Sequence, residues 1–298
     1  MFDKSLFIRE GRLRPGWRVP VYLLVLVLTY FIITLPVMIF QIQLHYGYQQ
    51  LLQLVAVLVG TWVCRRFVDK QDWSGFGLRL DRQGVRDIGL GLLLGAALMA
   101  GIFLVELVTG WITVSGFAWQ TRPLSELIRS VFWRIVVQMT VVAVTEEVVM
   151  RGYLLPTLEE GLGLPWAVAI TSSVFGVIHL INPTAHGWAN YVIPFTLTLA
   201  GIMFALAYMV RRTLWLPIAL HFAWNTFEYE IFALTGATPE SARFLITEVT
   251  GPAFWVGLPN SAFGPEVGLL GILAMAVGIL VLWRMYRRTQ HEHACAGS

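Results

Sequence analysis

The stretch IRSVFWRIVVQMTVVAVTEEVVMR, residues 128–151, is apolar over most of its length and closes on two adjacent glutamates and an arginine. It has the length of a membrane-spanning helix, which needs roughly 20 mostly apolar residues. Ionisable side chains inside such a helix are costly, and by default they mark function. Helix periodicity separates the two carboxylates. Glu147 and Arg151 are four residues apart, so they share a face and pair in the favourable Glu-to-Arg order. Glu146 is turned about 100° away around the same helix. One carboxylate is thus expected to be held by the arginine and the other to be free for chemistry. The competing reading is a purely structural charge cluster that fixes helix packing.

The rest of the chain belongs to the same solvent. It has 298 residues, 57% of them hydrophobic and 13% charged, with a mean hydropathy of +0.68. A soluble domain carries about 25% charged residues, so there is too little charge here to coat a soluble globule. Eight candidate spans can be drawn, at 19–41, 50–67, 88–110, 128–151, 165–181, 191–210, 214–233 and 266–285. The expected fold class is all-α: a polytopic membrane helix bundle of about eight transmembrane helices, forming a single membrane domain over 1–298. Residues 68–87 read as a polar, basic surface loop or interfacial helix. Residues 234–265, rich in Gly and Pro, read as the longest other connection. Arginine outnumbers lysine 19 to 2, and the arginines sit at span ends, which argues against a nucleic-acid partner. Cys64 and Cys295 supply neither a disulfide framework nor a metal-ligand spacing.

Positive charge sets the expected orientation. Lys4, Arg9, Arg12, Arg14 and Arg18 precede the first span, and Arg65, Arg66, Lys70, Arg79, Arg82 and Arg86 follow the second. Arg211 and Arg212 divide the sixth from the seventh, and Arg284, Arg287 and Arg288 follow the eighth. The loops at 42–49 and 182–190 have no Lys or Arg, and 234–265 has only Arg243. Both termini are therefore expected in the cytoplasm. The first span is too long for a signal-peptide core and is expected to be retained.

Other ionisable residues fall inside or near spans. Glu106, Arg134 and Glu228 lie near outer ends, where snorkelling to the interface is the simplest expectation. His179 and His221 lie deeper. FGVIHL puts Phe175 four residues before His179, and LHFAWN puts His221 four residues before Asn225 on one helix face. At 1.5 Å per residue, Glu146 and His179 would each lie roughly 20–25 Å from the turn near Gly161–Gly163, at one height on antiparallel neighbours. Rival protease chemistries find no support. HExxH is missing, no GxSxG accompanies the histidines, and all five aspartates lie at or before Asp87, outside the drawn spans. The tail HEHACAGS reads as functionless, and its closing CAGS is not a prenylation signal.

The ordered set Glu146-Glu147-Val-Val-Met-Arg151, Phe175-to-His179 and His221-to-Asn225 resembles the EExxxR, FxxxH and HxxxN motifs of the CPBP intramembrane protease family. That family includes type II CAAX prenyl endopeptidases, bacteriocin-processing enzymes and Abi proteins. The resemblance covers about residues 125–230. It implies an eight-helix bundle and peptide-bond hydrolysis in or near the membrane. It further implies that Glu146 and His179 activate a water, that His221 and Asn225 bind the oxyanion, and that Glu147, Arg151 and Phe175 support the site. A zinc ion held by His179, His221 and Glu146 is a possible addition, since the family is called a metalloprotease. The implied partners are the lipid bilayer and a membrane protein or peptide substrate, lipidated or not, with a bacterial cell membrane as the location. A non-proteolytic immunity or scaffold protein using the same polar cluster is the alternative.

Overall fold

A computed structural model describes residues 7–9, 11–44, 46–181, 189–235, 243–259 and 261–296. Lys4 and most of the 182–190 loop, both used above to orient the chain, lie outside these residues. After a short hairpin of β1 (Ile8–Arg9) and β2 (Arg12–Leu13), the chain forms helices joined by short loops. Helix α1 is Pro15–Ile39. Helix α2 is Tyr46–Val63 and continues in a π turn, Cys64–Val68. Helix α3 is Arg82–Val108. Strand β3 (Ile112–Phe117) leads to α4, an unbroken rod over Leu124–Leu162. Helix α5 is Leu164–Ile178 with a 3₁₀ turn His179–Ile181, and α6 is Ala189–Arg211. Helix α7 is Trp215–Asn225 with a π turn Thr226–Ile231. Strand β4 (Leu245–Val249) and helix α8 (Leu269–Ala296) complete the chain.

Seven of these helices are long and apolar enough to span a bilayer. The seventh expected span is α7, eleven residues extended by a six-residue π turn. It is shorter than the others because it lies inside the bundle: Leu216 to Leu220, Ala223 and Trp224 are all buried. The protein is a multi-pass, all-α membrane bundle. Burial is graded as a bilayer requires. In α6 the apolar window is 67% buried, against 6% in α1. Leu24, Val27, Phe31 and Ile32 of α1 are exposed, which water would penalise and lipid does not.

Small residues bring the helices together. In lipid there is no hydrophobic force between helices, so close backbone approach and polar contacts decide packing. Gly91 and Gly95 of α3 are four apart and face α7. A Cβ on Gly91 would lie 2.6 Å from the Leu216 carbonyl, and one on Gly95 would lie 2.7 Å from Ala223 Cβ. Gly201 of α6 approaches Ser172 of α5 in the same way, and Gly176 of α5 meets the Pro194 carbonyl.

One end of the bundle is locked by charge. Arg18, 2% exposed, donates to Asp69 at 3.2 Å and also pairs with Glu160. Tyr153 Oη donates to the same Asp69. Arg212 forks onto Glu159 at 2.5 and 2.7 Å, and Arg211 and Thr213 hold Asp87 at 2.5 and 2.8 Å. The Glu159–Glu160 pair that precedes the α4–α5 turn therefore faces arginines of α1 and of the α6–α7 turn. Because α3 starts at Arg82, earlier than drawn from hydropathy, Asp87 lies within this helix, where its carboxylate is fully paired.

At the other end the snorkelling expectation is corrected. Glu106 is 1% exposed and Glu228 is fully buried. Neither carboxyl has a hydrogen-bond partner among the described residues. Their helix faces turn into the bundle, so their short side chains cannot reach the interface. Arg134 does not run free to the interface either, since it grips buried Glu230 with Nη2 at 2.7 Å. Strands β3 and β4 pair antiparallel, Ile112 opposite Val249 and Phe117 opposite Leu245. They tie the chain after α3 to the long 234–265 connection, a pairing hydropathy did not announce.

Gly95→Val should force α3 away from α7, costing about 1–3 kcal/mol. The expected result is a lower melting temperature for the detergent-solubilised protein, while Gly89→Val, at a glycine with open space around it, leaves it unchanged.

Candidate active site

Helices α4, α5 and α7 each bring one motif to the same place. Glu146 and Glu147 end a regular segment of α4, and the next seven residues, Val148–Leu154, form a π turn that contains Arg151. A π turn widens the helix and is common at functional sites. A second π turn follows Asn225 in α7. His179 opens the 3₁₀ turn that ends α5.

The expected division of the two glutamates holds in the geometry. Glu147 and Arg151 are both fully buried, and Arg151 Nη1 lies 2.9 Å from Glu147 Oε1. The other arm of Arg151 donates to the Gly201 carbonyl of α6 at 2.8 Å. Its guanidinium carbon lies 4.9 Å from the ring centre of Phe175 and 5.4 Å from that of Phe204. Phe204 also stacks on His221, with ring centres 4.6 Å apart and planes 15° from parallel. Phe175, whose ring is 4.8 Å from that of His179, therefore lies between the buried guanidinium and His179. That is the structural use of the Phe175–His179 spacing. Phe204 was not among the expected site residues; three residues after Gly201 on an apolar helix, it carried no sequence signal.

Glu146 points elsewhere. Its side chain is 32% exposed, and it lines a cavity of about 460 Å³ with His179, Thr145, Phe175, Gln53 and several aliphatic side chains. One of its oxygens, Oε2, is buried without a hydrogen-bond partner and lies 3.9 Å from His221 Nε2.

The histidine tautomers follow from their partners. His179 Nδ1 is 2.6 Å from the Phe175 carbonyl. A carbonyl only accepts, so Nδ1 carries the proton and Nε2 keeps its lone pair. His221 Nδ1 is 3.0 Å from Glu147 Oε1, and the carboxylate beside Arg151 again accepts. His221 is thus tied into the buried pair through one nitrogen and presents the other to Glu146. Asn225, half-buried one turn along α7, has no hydrogen-bond partner among the described residues.

The three donors named for zinc are not arranged for it. Among the described residues no group of three His, Cys, Asp or Glu side chains stands close enough to hold a metal ion. Sequence reasoning also missed Glu266, which is buried before α8 and accepts from Trp224 Nε1 at 3.0 Å. Trp224 is the residue next to Asn225, and nothing in local sequence joins Glu266 to it.

Removing one member of a buried ion pair leaves an uncompensated charge, at about 3–5 kcal/mol. Glu147→Ala and Arg151→Ala should therefore lower the melting temperature strongly. Glu146→Gln, at a partly exposed position outside the pair, should leave it within a degree or two. Equal losses for all three would remove the distinction between the glutamates.

Residues 128–227 match the family model for type II CAAX prenyl endopeptidase Rce1-like proteins. The match supports membership of the CPBP family and covers all seven motif residues, from Glu146 to Asn225. No curated protein and no solved structure gives a match.

Proposed function

We propose that this protein is an intramembrane endopeptidase that hydrolyses peptide bonds of membrane-associated or lipidated, CAAX-type substrates with an activated water. The observation that carries this reading is the pairing of a partly exposed, unpaired carboxylate, Glu146, with the free Nε2 of His179 in one apolar cavity. Both are acceptors, as groups that take a proton from water must be. The carbonyl under attack gains negative charge and needs preorganised donors. Asn225 has an uncommitted amide for that purpose. His221 can donate through Nε2 only as the doubly protonated ring, because Nδ1 already serves Glu147. The buried Glu147–Arg151 pair then orients His221 and does not touch the substrate. A scaffold or immunity protein would need the buried pair, but it would not need an unpaired carboxylate and an unpaired imidazole nitrogen facing one cavity.

The arginine-locked end of the bundle faces the cytoplasm in this proposal, as the positive-inside rule directs, and the membrane is a bacterial plasma membrane. A reporter fused after residue 288 should read cytoplasmic, and one inserted within 182–190 should read external. The opposite pattern would reverse the side from which substrates reach the site.

The activity test uses purified protein in nanodiscs with farnesylated and unlipidated CAAX peptides. Wild type should release the C-terminal fragment and Glu146→Gln should not. Asn225→Ala should lower kcat on the order of 100- to 1000-fold with little change in KM, since the contact forms mainly in the transition state. Asn225 is the cleaner probe, because His221→Ala also strips a partner from Glu147. Stoichiometric zinc in wild type that is lost in His221→Ala, with chelator-silenced cleavage, would overturn the metal-free reading.

A further inference from the structure

The cavity that holds Glu146 has two kinds of wall. Helices α4 and α5 contribute Thr145, Glu146, Val149, Met150, Phe175, Ile178, His179 and Ile181, while α1 and α2 contribute Leu26, Gln53 and Val57. Gln53 is the one polar side chain on the second wall. It lies within an apolar span, Gly47–Val68, is exposed, and its amide has no hydrogen-bond partner among the described residues. Gln49, one turn earlier, does have one, donating to the Leu44 carbonyl at 3.2 Å. An unpaired primary amide in an apolar span is costly, and no described residue pairs with it.

A second group behaves the same way. Thr29, Thr171 and Thr289 donate back to the carbonyl four residues earlier at 2.8–2.9 Å, whereas the buried hydroxyl of Thr226 has no partner among the described residues. Thr145 makes no such bond either. It is 7% exposed, and its Oγ1 has no hydrogen-bond partner among the described residues, although it lines the cavity beside Glu146. The cavity thus carries two sets of unsatisfied polar atoms besides the groups assigned to hydrolysis, one on each wall.

We propose that Gln53, with Thr145, binds the backbone of the peptide segment that flanks the scissile bond. A chain that exposes a peptide bond to attack within a membrane has given up its helical hydrogen bonds, and each freed N–H and C=O needs a partner. The glutamine amide presents one acceptor and a donor pair on a planar group, the complement of a peptide unit. The threonine hydroxyl can donate or accept once more. Recognition of this kind reads the main chain and tolerates different side chains. Gln53 is a substrate-positioning residue, and the inference rests on the endopeptidase reading above.

The test uses full-length protein in nanodiscs and an internally quenched farnesylated CAAX peptide, alone and N-methylated at single positions around the cleavage site. Binding is measured separately, by anisotropy, in the inactive Glu146→Gln background. Gln53→Leu and Gln53→Ala should raise KM, and Kd in the inactive background, by roughly three- to tenfold, the worth of about one hydrogen bond. Their kcat should stay within twofold and their melting temperature should not change. One N-methylated peptide should lose a similar factor against wild type and nothing further against Gln53→Leu, the signature of a shared contact. Unchanged KM and Kd, or N-methyl penalties equal in wild type and variant, would overturn the assignment in favour of an amide that serves only lipid or water. Peptide that binds but is never cut would refute the hydrolytic reading while leaving the Kd comparison to decide on Gln53. Peptide that neither binds nor is cut would overturn both.

Discussion

A salt bridge sealed inside a membrane bundle is the constraint from which the rest follows. Each ion costs several kcal/mol to take out of water even after relaxation, so neither Glu147 nor Arg151 can be left without partners. The partners come from other helices. Glu147 Oε1 accepts from Arg151 of its own helix and from His221 of α7. Arg151 reaches the Gly201 carbonyl of α6 and lies beside rings from α5 and α6. Satisfying one pair therefore pins four helices at a single depth. Glu146, adjacent in sequence and turned away around the helix, is carried to the cavity as a consequence.

The pinning works only if the helices can approach. Gly91 and Gly95 let α3 lie against α7, Gly201 lets α6 lie against α5, and Gly176 admits the Pro194 carbonyl. The same Gly201 that permits the approach offers the carbonyl that Arg151 uses. The arginine–carboxylate contacts at one end and the β3–β4 pairing at the other then fix how far the rods can slide. The motif residues thus stand on rigid elements, which hold side chains more closely in place than loops do.

Hydrolysis in this setting needs water and an unfolded peptide where both are disfavoured. The cavity answers with a division of labour. Aliphatic side chains from α1, α2, α4 and α5 form its lipid-like lining, and among its polar groups Glu146 Oε2 and Thr145 Oγ1 are buried with no hydrogen-bond partner among the described residues. Unpaired polar atoms in a native interior call for an explanation, and the proposed peptide substrate with its attacking water would supply one.

Much of this was legible along the chain. Hydropathy located the spans, and the helical period separated Glu146 from the Glu147–Arg151 pair, because an i,i+4 spacing on one helix is a local geometric fact. The order of the motifs resembled a protease family, and a match over residues 128–227 agrees with it. What local pattern could not decide is whatever depends on a neighbouring helix. Glu106 and Glu228 sit at positions where a single helix would let them snorkel, yet packing buries both. Glu147 as the anchor of His221, Phe204 as the ring beneath it, Glu266 beside Trp224 and the unpaired amide of Gln53 are all pairings across the bundle. Sequence sets which faces of a helix can carry polar groups; only the packed bundle decides which of those groups find partners and which are left for a substrate.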